Sequence, residues 1–288
     1  MIFASSALAL LAACGGGGSG AEEFSSFSSV DPNGTVTLDG TTRPATASTD
    51  DSGDASLDAI QSDDDATATI SLSDDVPTRL AIRGTAADAT IDENSGGTIT
   101  ANNSLITGKD DTTTVVLANP TPDNSSYQAN YQTYGLWANA NIDGALEGEG
   151  VGSFGARTGE ANMPANGDQQ AVFYGNSIGI LDDGGSQVVT ASRVQVETNF
   201  SQVEFLSENT KVIEIDTGND TKTAGELNFR TVGTVSGDGF NIDINEPVGT
   251  GTLDGQFYGP NAEEVGGTFE ILTSETKGTY VAAFGALQ

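Results

Sequence analysis

Carboxylates are the reactive side chains this chain carries in quantity. The stretch GTLDGQFYGPNAEEVGGTFEI, residues 251–271, sets Glu263 beside Glu264. Two acids flanking a cleft can act as general acid and base on a glycosidic bond. Adjacent residues on an extended chain point to opposite faces, which argues against one shared site. The simpler reading is a turn in which a glutamate accepts backbone N–H groups or stays solvated. Aspartates gather in DDSGD (50–54), SDDDA (62–66) and DTGND (216–220). Such hard oxygens suit Ca²⁺, but none has the spacing of a helix–loop–helix calcium loop. VSGDGFNID matches a glycine-rich nonapeptide once, without the repetition that such calcium sites need. The chain has no His, which removes the commonest general base and metal ligand. No catalytic or metal-binding residue is assigned, no cofactor is implied, and the chain is not expected to be an enzyme. Tyr134, Trp137, Phe173 and Tyr174 could line an aromatic ligand pocket or fill a core. Arg193 and Arg230 read as outward ion-pair partners.

The acids also say what the chain avoids. The formal net charge is −31. No basic patch exists to neutralise phosphates, so nucleic acid is excluded as a partner. Docking by charge on an anionic lipid surface is equally disfavoured. Residues 1–130 carry 19 acids and 4 bases, and residues 131–288 carry 22 and 6, so the charge is spread rather than confined to a tail.

The elements that must position these residues are strands. Ser, Thr, Gly, Asp and Asn separate short apolar runs, and long amphipathic helical stretches are scarce. NGTVTL (33–38), ATATISL (66–72) and TTTVVLA (112–118) are β-branched and predict strands. TDDSGDASLDAIQSDDD (49–65) predicts an exposed loop with a single helical turn. These place a small β-rich subdomain over 30–130. NPTPDNSS (119–126) reads as a linker, and beyond it aromatics and glycines become regular, which sets a domain boundary near residue 130. Strands then follow closely. SQVVTASRVQVETNF puts Val194, Val196, Thr198 and Phe200 on one face, and GELNFRTVGTV puts Leu227, Phe229 and Thr231 on one face. SGDG (236–239) turns into FNIDIN, where Phe240, Ile242 and Ile244 oppose Asn241, Asp243 and Asn245. In residues 251–271 the inward set is Leu253, Phe257, Val265, Phe269 and Ile271, with Gly259 and Asn261 suited to positive φ in the loop between. TYVAAFGAL (279–287) alternates again. The fold class is all-β: an eight-stranded antiparallel meander closed into a barrel over 131–288, after the smaller β-rich subdomain. Eight strands leave an interior wide enough for side chains or for one small ligand.

The first residues address the chain. IFASSALALLAA is apolar, ends in small residues and is too short to span a bilayer, as in a secretory signal. Leu11-Ala12-Ala13-Cys14 resembles the lipobox of bacterial lipoproteins. That resemblance implies a signal segment over 1–14, lipidation of Cys14 by fatty acids such as palmitate, and a Gly/Ser tether over 15–29. Several acyl chains hold a protein stably on a membrane where one does not. Gly15 after the cysteine fits outer-membrane sorting by the same resemblance.

The closing hairpin carries a second resemblance. FYGPNAEEVGGTF is similar to the last hairpin of the transferrin-binding protein B β-barrel family. YGLWAN (134–139), RTGEANMPANGDQQAVFYGNSIG (157–179) and VQVETNFSQVEFL (194–206) support it. That family comprises bacterial surface lipoproteins. The resemblance implies an outer-membrane, surface-exposed, single-barrel member. Its barrel would bind a host or iron-carrying protein, haem or another small solute, and a TonB-dependent receptor could be a second partner. The alternative is a structural or adhesive acidic surface lipoprotein stabilised by calcium.

Overall fold

The computed structural model describes residues 26–45, 48–49, 55–56, 62–85, 87–120, 129–140, 146–165, 167, 169–182, 187–214, 220–274 and 278–288. The first eleven strands are β1 (Thr35–Pro44), β2 (Ser48–Thr49), β3 (Ala55–Ser56), β4 (Asp63–Ser73), β5 (Val76–Arg83), β6 (Asp88–Asp92), β7 (Thr98–Ala101), β8 (Leu105–Lys109), β9 (Thr113–Ala118), β10 (Gln132–Ala140) and β11 (Leu146–Gly155). The remaining nine are β12 (Ala171–Asp182), β13 (Gln187–Thr198), β14 (Gln202–Ile213), β15 (Asp220–Thr223), β16 (Phe229–Ser236), β17 (Gly239–Glu246), β18 (Gly249–Tyr258), β19 (Glu264–Thr273) and β20 (Thr279–Leu287). Cys14 and most of the tether lie outside the described residues. So do most of the aspartates of 50–54 and 216–220.

Nine strands form one antiparallel sheet in the order β6-β5-β4-β1-β11-β10-β9-β8-β7. It curls around a core in which Leu80, Ile82, Ile91, Val115, Leu117, Trp137 and Phe154 are fully buried. The expected boundary near residue 130 is corrected here, because β10 and β11 belong to this sheet and not to the barrel. β11 pairs with β1, so that Val151 lies opposite Arg43. Alternation shows that a segment is a strand, but not which distant strand it will pair with. The aromatics that marked the change of texture, Trp137 and Phe154, fill the first core. Two smaller expectations also change. Asp63–Asp65 are in strand β4 rather than a loop, and Ser48–Thr49 pairs with Ala55–Ser56. At the end of the expected tether, Phe27 is buried in the first core and its N–H donates to Asn130 O at 2.8 Å.

The second sheet is the barrel. Neighbours run β13-β12-β20-β19-β18-β17-β16-β14, and β13 pairs with β14 to close eight antiparallel strands. β15 is added to the far part of β14. Closure removes the free edges that would otherwise invite pairing with another chain. Leu253, Phe257, Val265, Phe269 and Ile271 all point inward and are fully buried, as the alternation requires. The hairpin over 236–239 forms, with Gly237 at φ 63°. In the 259–263 turn, Gly259 takes φ 88°, but Ala262 at φ 59° takes the second left-handed position in place of Asn261. Ala262 is fully buried, while the Glu263 carboxylate holds the Asn261 N–H at 2.8 Å.

The first sheet packs on the outside of the barrel. Val116, Leu136 and Val151 meet Ile178, Ile180, Val281 and Ala283 there. β19 and β20 are therefore buried on both faces, so their residues no longer alternate in exposure. Along the middle of β20 the outward residues are Val281, Ala283 and Gly285, and Gly285 lies against Tyr134 of the first sheet.

Candidate functional site

The barrel interior is filled by side chains. Phe205 stacks edge-on against Phe284 at 4.9 Å between ring centres, Phe229 against Phe269 at 5.1 Å, and Phe269 against Tyr280 at 5.3 Å. Phe257 meets Phe200 at 5.5 Å and Phe173 at 6.0 Å. These are ordinary separations for packed aromatic rings. Of the two interior occupants eight strands allow, side chains are the one found. The four aromatics considered as a pocket are not brought together. Trp137 and Tyr134 serve the first sheet and its interface, Phe173 is inside the barrel, and Tyr174 is 61% exposed on the barrel's outer wall.

The densest polar chemistry lies where the sheet meets the barrel. Arg43, on β1, is almost wholly buried. Its Nη2 pairs with Asp254, its Nη1 reaches Glu270 Oε1 at 2.7 Å, and its Nε donates to Thr268 Oγ1 at 2.9 Å. A buried guanidinium needs this fork of acceptors, because an unpaired buried charge is very costly. Glu264 is 3% exposed, and its carboxylate accepts the Asn130 N–H at 2.5 Å and the Tyr131 N–H at 3.2 Å. Burial pushes its pKa up to about 7, against the lowering effect of those N–H groups. The Glu263–Glu264 pair therefore divides as the strand geometry requires. Glu263 caps its own turn, and Glu264 ties the barrel to the segment entering β10.

Gln132 makes the next tie. Its Nε2 donates to Val265 O and Ala286 O, each at 3.1 Å. A Cβ on Gly266 would stand 2.2 Å from Gln132 Oε1, so the glycine opens the notch that the glutamine occupies. Glu149, also buried, accepts from Gln187 Nε2. Burial first, and the neighbouring Asp182 second, raise its pKa to about 7. Arg43, Gln132, Glu149 and Glu270 were not singled out by sequence. The one available signal was Arg43, a lone base inside a Thr-rich strand pattern.

Elsewhere some acids serve local structure. Asp63 accepts the Asp65 and Thr85 N–H groups, and the Thr85 contact helps to hold its carboxyl below the usual range despite burial. Arg230 grips Glu204 with two hydrogen bonds of 2.5 Å, as expected for an outward pair, while Arg193 is exposed. Among the described residues, no three acidic or thiol groups are gathered as a metal site. Among the described residues, surface depressions remain open to a partner: a polar one of about 480 Å³ beside Asp39, Asp64 and Arg157, and two others. One is a groove of about 550 Å³ on the outer wall of the barrel, bounded by Val172, Glu197, Glu204 and Val232. The other is a cleft of about 300 Å³ between sheet and barrel, bounded by Asp64, Arg157, Asp238 and Asp254.

Comparison with known proteins places this geometry. Residues 163–288 match the family described as the C-lobe and N-lobe beta barrels of Tf-binding protein B. No curated protein matches the chain. Among solved structures, intact Ap-TbpB with N and C lobes is similar at 14% identity and a TM-score of 0.41, over 79% of this chain and 55% of that one. TbpB from serogroup B Neisseria meningitidis is similar at 13% identity and a TM-score of 0.42, over 79% of this chain and 53% of that one. HpuA from Kingella denitrificans, in complex with human haemoglobin, is similar at 11% identity and a TM-score of 0.38, over 89% and 87%. The chain spans about half the length of those TbpB structures. With the eight-stranded closure and the matched region together, the barrel over residues 163–288 is similar to the β-barrels of the transferrin-binding protein B family.

Proposed function

We propose that this chain is an outer-membrane surface lipoprotein, anchored through acylated Cys14, that binds a protein ligand on the exterior of its barrel. The observation that carries the reading is the filled interior. A family-type barrel packed with phenylalanine leaves its outer wall and loops as the surfaces that can recognise anything. Host proteins that carry iron are the ligand class in this proposal, in keeping with the name of the matched family. A TonB-dependent receptor is the proposed second partner, to which captured cargo would pass.

Two measurements test it. Metabolic labelling with radioactive palmitate in a bacterial host should mark the wild-type chain, and Cys14→Ala should abolish the label and release the protein from membranes. An unlabelled wild-type chain would remove the anchor from the proposal. Biolayer interferometry against transferrin and human haemoglobin, in iron-loaded and iron-free forms, should give saturable binding to one of them. Absence of binding to both by a folded chain counts against an iron-carrying ligand.

A further inference from the structure

One outer face of the barrel differs from a wall built only for water. On β17 the outward residues are Asn241, Asp243 and Asn245, all exposed, the polar-out pattern of a solvated strand. Around β12, β13, β14 and β16 the outward residues are of another kind. Strand pairing sets Tyr174, Gln195, Leu206 and Arg230 in one row across four strands, and Val172, Glu197, Glu204 and Val232 in the next. Tyr174 is 61% and Val232 66% exposed. The second row borders the groove of about 550 Å³. Val172 and Tyr174 on β12 and the diagonal pair Leu206 and Val232 on β14 and β16 flank the polar Gln195 and Glu197, a mixed wall of the kind that suits a docking surface.

Charge decides what docks. Arg230 is already held by Glu204 at 2.5 Å, and Glu197 lies close enough to act on the same guanidinium. Glu197 is exposed and accepts from the neutral Gln195 amide at 2.6 Å. Two carboxylates share one cation, so the face keeps a negative charge on a chain of net charge −31. A second copy would bring the same glutamates against themselves, because a twofold interface meets its own patch. An anionic lipid surface is repelled for the same reason. A protein surface carrying Lys or Arg flanked by apolar side chains satisfies both requirements, covering Tyr174 and Val232 while answering Glu197. We infer that this face docks such a basic, apolar-flanked protein segment. The inference rests on the reading that the barrel exterior binds a protein, and it adds where and by what chemistry.

The test pans a phage-displayed random peptide library on the immobilised full chain and measures the enriched peptides against variants. The expected peptides carry Lys or Arg beside aromatic or aliphatic residues. Their binding falls about tenfold or more on Tyr174→Ser/Val232→Ser. It also weakens on Glu197→Gln, and again as salt rises from about 50 to about 500 mM. Both variants change only exposed or groove-lining side chains, so an unchanged thermal midpoint verifies the fold. Failure to enrich any peptide, enrichment of peptides without basic residues, or undiminished binding to the double variant would each overturn the inference. So would a wild-type dimer in sedimentation that the double variant abolishes. If transferrin or human haemoglobin binds the wild type and the double variant equally, this face is overturned while the broader reading stands.

Discussion

At the scale of single residues, the interface between sheet and barrel holds the costliest groups in the molecule. Arg43 is the centre of that chemistry. Replacing it with Met leaves Glu270 and Asp254 without their cation, and Glu270 is almost wholly buried. Truncating one partner of a buried pair costs about 3–5 kcal/mol. Urea denaturation of Arg43→Met should therefore show a loss of that order, and a change below about 1 kcal/mol would mean that the carboxylates relax into water. Glu264 gives a pH prediction. Its folded pKa of about 7 lies above its ordinary 4.5, so the folded state binds the proton more tightly. That contribution is complete below about 4.5 and is lost as pH rises through about 7. At roughly 1.4 kcal/mol per pKa unit, the loss is at most about 3 kcal/mol. Glu264→Gln should flatten stability between about pH 4.5 and 7 relative to wild type, while keeping an oxygen for the Asn130 N–H. A variant as steep as wild type across that window would assign the slope elsewhere, Glu149 being the next candidate.

At the scale of elements, β19 and β20 behave as central strands although they belong to a barrel wall. Their inward residues fill the barrel and their outward residues meet the first sheet. The Gly266 notch is what lets β10 come this close. Gly266→Ala would place a Cβ where Gln132 Oε1 lies, at 2.2 Å. Overpacking of this kind costs about 1–3 kcal/mol. Hydrogen exchange should show earlier opening at Gln132–Tyr134 in this variant, with β16–β18 protected as in wild type. Uniform loss of protection across the chain would show that sheet and barrel unfold as one unit. Strand existence was legible for most of these elements from period-2 alternation. The assignment of β10 and β11 was not, because their partners, β1 and β9, are chosen by which core buries Trp137 and Phe154.

At the scale of the whole molecule, two opposed terms act. A phenylalanine-rich core favours folding, and a net charge of −31 resists compaction. Phe205 contacts Phe229, Phe269 and Phe284, so Phe205→Ala opens a cavity at the centre of the barrel and should cost about 3–5 kcal/mol. Salt shortens the reach of self-repulsion to about 8–10 Å near physiological strength. The thermal midpoint of the wild type should accordingly rise as NaCl increases from about 10 to about 150 mM. A falling midpoint would show that attractive pairs such as Arg230–Glu204 outweigh the repulsion.

The sequence by itself determined the β class, the inward set of residues 251–271, the hairpin at 236–239 and the separation of Glu263 from Glu264. Each follows from local geometry, since successive side chains on a strand alternate and turn residues carry their own φ preferences. Only the tertiary structure decided that β10 and β11 leave the barrel for the first sheet, that side chains pack the interior, and that Arg43, Gln132, Glu149 and Glu270 converge on one interface. Those facts depend on tertiary pairings, several of them, such as Arg43 with Asp254 and Gln132 with Val265, between residues more than a hundred positions apart. No local pattern encodes them, because partner choice is set by the total apolar surface each arrangement buries.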